Sequence, residues 1–147
     1  MILPDPIPRP PSVVLANAFS IGMLRPGPPS TRHAVQFTLI TLEQAVRMLQ
    51  HAKTFHKAVT EARGWREPFR VASAIRHLAT EAIALHMLGL DKSQVEQIQS
   101  VTLERGMILL VFLPRWKGGR PPETRDYTAE ELATLAEGVD IWMCSLI

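Results

Sequence analysis

Apolar positions along this chain fall into short blocks, some alternating and some helix-spaced, divided by proline- and glycine-rich punctuation. Val13, Val14 and Leu15 have strand character, and the run stops at small residues. Asn17, Ser20 and Gly22 then interrupt the apolar positions Phe19, Ile21, Met23 and Leu24. Arg25–Ser30 reads as a loop, and Thr31–Ile40 as a second strand with Val35, Phe37 and Leu39 on one side. Thr41 with Gln44 three residues on forms a capping box. The helix it opens should run from Leu42 to about Ala62, on the stripe Leu42, Ala45, Val46, Leu49, Ala52 and Val59. His51 and His56 sit among Arg47, Lys53 and Lys57 and read as a solvated face. Gly64 and Pro68 end the helix.

The stretch Val71–Leu90 admits two readings. One continuous helix from about Phe69, striped at Val71, Ile75, Leu78, Ala82 and Leu85, would place Ser73, His77 and Glu81 on its wet side. Alternatively Ser73–Arg76 is a turn and the helix starts near His77, which then stands at the positive end of the macrodipole beside free amides suited to a phosphate. Gly89 is the stop in either case. Gln99–Leu103 and Met107–Leu113 read as strands around the turn Glu104–Gly106, and Pro114–Pro122 as a mobile loop. Thr128 and Glu131 form a second capping box for a helix ending at Gly138, and Val139–Ile147 closes the chain as a strand. This order predicts one α/β domain over 13–147, a mixed sheet flanked by helices, preceded by a proline-rich arm at 1–12.

Composition narrows the classes. The 147 residues, 46% hydrophobic and 20% charged, suffice for one domain with a real core. The single cysteine, Cys144, excludes an internal disulfide, fits a reducing cytoplasm, and reads as a small buried hydrophobe. No apolar run approaches the roughly 20 residues of a membrane span, and proline stands where a signal peptide would have its apolar core. A net charge of +2 and a pI near 9.0 favour an anionic partner only mildly, and stable DNA binding is not expected. There is no phosphate-cradling glycine loop, paired CxxC or Ser-His-Asp pattern, and no histidine has metal-ligand spacing.

Candidate chemistry lies in three places. A strand ending at Asn17–Ser20 leaves amides and short polar side chains free where open α/β sheets bind ligands, or is a plain strand-to-turn connection. His77 is the second, and the third is the pair Arg115 and Trp116, either suited to gripping phosphate and stacking on a base or part of a surface loop with the Trp tucked into its own domain.

At Leu15, Asn17, Ala18, Phe19, Ser20, Ile21, Met23 and Leu24 the chain resembles a family of small viral, plasmid and bacterial proteins. It includes the viral anti-CRISPR ring nucleases of type III systems and a structurally known relative from a Sulfolobus turreted virus. The family's opening strand reads close to L-x-N-A-F-S-hydrophobic-N-M-L, with Gly22 here in place of the second Asn. A second motif, S-x-I-G-H with Thr three residues later, is matched by Ser73, Ile75, His77 and Thr80. Val101–Glu104 and Pro114–Trp116 correspond to a strand pair and an Arg-led loop of the family. The resemblance selects the second reading of His77.

What the resemblance implies is a homodimer whose cleft binds cyclic tetra-adenylate and cuts it to linear di-adenylate without metal or other cofactor. A ribose 2′-hydroxyl attacks the neighbouring phosphate, and the histidine, His77, gives a proton to the departing 5′-oxygen. Asn17, Ser20, Arg76, Thr80 and Arg115 then hold the substrate. The nucleophile belongs to the substrate, so the protein supplies positioning, charge and a proton donor. Three departures stand against the pattern: Arg76 replaces a Gly, Gly118 stands where the family has Glu (Glu123 is the nearest replacement), and Gln97 and Ile98 occupy the place of a basic residue. They motivate an alternative, a non-catalytic binder of cyclic oligonucleotides; the basic balance motivates a third, a nucleic-acid-binding accessory protein.

Overall fold

A computed structural model of the chain describes residues 13–24, 34–122 and 127–146. The proline-rich arm, the Arg25–Ser30 loop, the first residues of the expected second strand and Glu123 lie outside the described residues. Six strands, β1 (Val13–Ala16), β2 (Val35–Ile40), β3 (Val71–Ser73), β4 (Val95–Gln97), β5 (Ile108–Trp116) and β6 (Ala136–Leu146), form one sheet in the order β2-β6-β5-β1-β3-β4. β1 pairs in parallel with both β3 and β5, β3 with β4, while β6 runs antiparallel to β2 and β5. The helices are α1 (Leu42–Arg63), α2 (Leu78–Leu88) and α3 (Ala129–Leu135). The expected α/β domain with a mixed sheet flanked by helices is what forms.

The capping signals act where the sequence places them. The Thr41 hydroxyl accepts from the Gln44 amide while the Gln44 side chain accepts from the Thr41 amide, and Thr128 with Glu131 repeats the device on α3. Gly64 and Gly89 close α1 and α2 at φ 70° and 68°, a left-handed conformation that glycine adopts without a Cβ penalty.

One face of the sheet packs against α1 and α2: Val13, Leu15, Val71, Leu110, Phe112 and Ile141 meet Ala45, Leu49, Ala84, Leu85 and Leu88. The other face carries Val14, Ala16, Ala72, Leu109, Val111 and Cys144, covered by Val101, Leu103, Met107 and the segment Phe19–Leu24. Cys144 is buried as expected, and that burial pushes its thiol pKa up. Towards β2 this second face is open: Phe37 and Leu39, opposite Cys144 and Trp142, are 46% and 55% exposed, and Leu113 of β5 is 40% exposed. His56 is half-buried rather than solvated, its ring 5.6 Å edge-on from Phe69.

Five segments differ from the sequence expectation. β3 and β4, three residues each, are too short to show a period and exist because they add to the edge of β1. Gln99–Leu103 forms no strand; Val101 and Leu103 are buried from an irregular segment whose Leu103 amide donates to the Met23 carbonyl. β5 continues through Pro114 to Trp116, where a mobile loop was expected; past Val111 it has outrun β1, and a strand with one open side tolerates proline. β6 starts at Ala136, so Gly138 lies within a strand and does not stop a helix.

Phe112 is fully buried in the core between the sheet and α1 and α2. Phe112→Ala should therefore cost about 3–5 kcal/mol, read as a lowered midpoint in urea unfolding with the slope unchanged.

Candidate functional site

Because β1, β3, β4 and β5 are parallel, their carboxyl ends share one edge of the sheet. Asn17 follows β1, Ala74–His77 follow β3, Ile98 and Gln99 follow β4, and Trp116 ends β5. Open α/β sheets bind ligands at such an edge.

His77 is the N-cap of α2. The chain leaves β3 at Ser73 and enters the helix at Leu78, so residues 74–77 make the turn that the second sequence reading placed at Ser73–Arg76. Ser73, His77 and Glu81 are all buried, not on a wet helix face. His77 Nδ1 accepts from the Thr80 amide at 3.3 Å, and the Thr80 hydroxyl lies 2.8 Å from the same nitrogen. Nε2 lies 2.9 Å from the Pro121 carbonyl oxygen. A carbonyl only accepts and an amide only donates, so this pattern assigns the proton to Nε2 and leaves Nδ1 the acceptor. The Trp116 ring stands edge-on, 6.2 Å from the imidazole, among Ala79, Ile83 and Leu132. Tyr127 donates to the Pro122 carbonyl at 2.6 Å, holding the neighbouring residue of the same segment.

The other expected site residues are more scattered. Thr80 is 4% exposed with its hydroxyl and amide both on His77. Arg76 is exposed and donates to the Gln99 carbonyl at 2.9 Å, bridging the ends of β3 and β4. Asn17 is half-buried and Ser20 exposed, on the segment that follows β1 between the two flanking strands. Arg115 is not brought to His77. Its guanidinium pairs with Asp140 of β6 at 2.5 Å, and this hydrogen bond, then the charge of Asp140, raises its pKa. It lies on the sheet face opposite α2, in step with Leu113, whereas Trp116 crosses to the α2 side at a bulge.

Two residues that sequence reasoning left out of the site, Glu81 and Pro121, are next to it. Glu81, one turn beyond the cap and 5% exposed, accepts from the Ser73 hydroxyl at 2.8 Å and from the Gln97 amide at 3.0 and 2.9 Å. The available signal was a carboxylate inside LATEAIALHML, a helix otherwise apolar on almost every side. Pro121 carried no signal, since its role is a backbone carbonyl. Among the described residues no group of three His, Cys, Asp or Glu side chains is placed to hold a metal ion, and no helix is long and apolar enough to cross a membrane.

The cap sets how His77 should be tested. His77→Ala removes an N-cap acceptor from a buried helix start and should cost about 1–2 kcal/mol. His77→Asn, a strong N-cap residue, should recover most of that loss, as checked by parallel denaturant titrations of the two variants.

No protein-family model matches the chain, and no curated protein matches it. Among solved structures it is similar to B116 of Sulfolobus turreted icosahedral virus, with a TM-score of 0.53 at 19% identity, covering 90% of this chain and 97% of that one. The chain therefore shares the fold of that small viral α/β protein.

Proposed function

We propose that this protein is a metal-independent ring nuclease that cuts cyclic tetra-adenylate to linear di-adenylate and so antagonises type III CRISPR signalling. The observation that carries the reading is the imidazole of His77, set as the cap of a helix at the shared carboxyl edge of parallel strands, with its proton on Nε2. The 2′-oxygen of one ribose attacks the adjacent phosphorus, a P–O bond forms to close a cyclic 2′,3′-phosphate, and the bond to the 5′-oxygen breaks. The 2′-hydroxyl releases its proton to water as its oxygen attacks. For the leaving oxygen, Nδ1 takes up a proton from water and turns from the Thr80 amide to donate to the Thr80 hydroxyl; the imidazolium then gives its Nε2 proton to the 5′-oxygen once the ligand displaces the Pro121 carbonyl, and is left neutral. Thr80 then acts by holding the ring, and Arg76 offsets phosphate charge from the adjoining turn. Asn17 and Ser20 contact ribose or phosphate across the end of β1.

Two copies of the chain serve one ring in this reading. The open apolar face with Phe37, Leu39 and Leu113 supports a homodimer, because burying such side chains in water-facing positions is the ordinary driving force of association. A second reading has its own observation: His77 is 1% exposed and both ring nitrogens are hydrogen-bonded, which suits a protein that binds a cyclic oligonucleotide without cutting it.

Labelled cyclic tetra-adenylate incubated with the protein in EDTA should yield di-adenylate. His77→Asn should bind the ring but cut about 10²–10⁴-fold more slowly. Binding without turnover by the unaltered protein would select the second reading; no ring binding with salt-sensitive retention on DNA would select an accessory nucleic-acid-binding role. Leu39→Glu should convert a dimer to a monomer in light scattering, and an unchanged mass would move the interface elsewhere.

A further inference from the structure

A cavity of about 640 Å³ opens beside the turn that carries His77, lined by Ile75, Arg76, Glu81, Lys92, Gln97 and Ile98 among others. Its volume lies within the range of small-ligand sites. A second cavity, of about 390 Å³, adjoins it, and Leu78, Glu81 and Lys92 line both. Glu81 thus sits at their junction, buried, with every hydrogen bond it accepts coming from the neutral donors Ser73 and Gln97. Three features coincide here. Two cations, Arg76 and Lys92, stand at the wall; aliphatic side chains of Leu78 and Ile98 offer apolar surface; and a buried carboxylate oxygen, Oε1, receives only one shared bond, from Gln97. A carboxylate so placed gains from a further donor, because a buried charge with unfilled acceptor positions is costly.

We infer that this cavity is a base-reading subsite in which Glu81, with the amide oxygen of Gln97, accepts hydrogen bonds from the exocyclic amine of an adenine. Arg76 and Lys92 take the phosphate of the same nucleotide, and Leu78 and Ile98 pack on the base. This rests on the ring-nucleotide reading and adds to it the groups that choose the base. An amine donor satisfies the carboxylate, whereas a base with hydrogen at the same carbon leaves it facing an apolar edge. Sites built around a buried polar group reject ligands that lack the matching group.

The test compares cyclic tetra-adenylate with a cyclic tetramer of purine ribonucleotide, which carries hydrogen in place of each amine, by equilibrium binding in EDTA. The unaltered protein should prefer the adenine ring by about tenfold or more. Glu81→Met, similar in volume and apolar, should bring the two affinities to within about threefold of each other. Melting curves report whether that variant folds; the isosteric Glu81→Gln and the exposed-strand variant Gln97→Leu provide independent variants, and each should reduce the preference several-fold. A preference that is unchanged in folded variants, or absent in the unaltered protein while it still binds the adenine ring, overturns the base-reading assignment and leaves the ring-nucleotide reading standing. Failure of the unaltered protein to bind either ring overturns both.

Discussion

The start of α2 is the constraint around which the rest is arranged. This helix is buried on most of its surface, so its first amides face protein rather than water and need acceptors from within the chain. His77 supplies one through Nδ1, and that bond prevents the ring from turning. Nε2 is thereby aimed at the segment after β5, where the Pro121 carbonyl accepts from it. One side chain therefore joins the end of β3, the first turn of α2 and the residues beyond Trp116. Glu81 makes a second tie one turn later, joining α2 to Ser73 of β3 and Gln97 of β4. Such hydrogen-bonded buried groups specify how elements meet, since a misplaced partner would strand a buried donor or acceptor.

The elements with caps and periods were legible in the sequence. Thr41, Gln44 and Gly64 bound α1; Gly89 ends α2; Thr128 and Glu131 open α3; and β1, β2 and β5 show their apolar runs. What was not legible depends on neighbours. β3 and β4 are held by strand pairing that no local pattern announces, and Gly138 looks like a helix stop when read alone. The site divides in the same way. The position of His77 at a helix start followed from the motif around it, but its burial, the Pro121 contact and the Glu81 cluster arise from residues 44, 16 and 8 positions apart. Arg115 and Trp116 were adjacent in the chain and so read as one gripping pair, yet the sheet sends them to opposite faces.

The motif Ser73-x-Ile75-x-His77-x-x-Thr80 is largely explained by folding. Ser73 accepts from the Ile75 amide and donates to Glu81, Ile75 fills the core, and Thr80 fastens the imidazole. A match at these positions therefore speaks first for the way the chain passes from β3 into α2. It agrees with a shared fold at 19% identity, where the structural likeness carries no chemistry by itself. The groups left able to act on a ligand are few: Nε2–H of His77, the Arg76 guanidinium, the unfilled side of Glu81, and the short side chains after β1. The functional reading stands on those atoms and not on the motif as a whole.

Charge decides how such a set can meet an anionic ring. Arg76 and Arg115 stand at the ends of β3 and β5, the two strands that flank β1. Arg76 is held by the Gln99 carbonyl and Arg115 by Asp140. Both partnerships are at the surface, where water competes and such contacts are weakly held. Gly138 explains the resting position of Arg115: the guanidinium lies against β6 in the space a Cβ at that position would occupy. The glycine thus leaves room for the guanidinium to lie against the sheet, where it donates to Asp140.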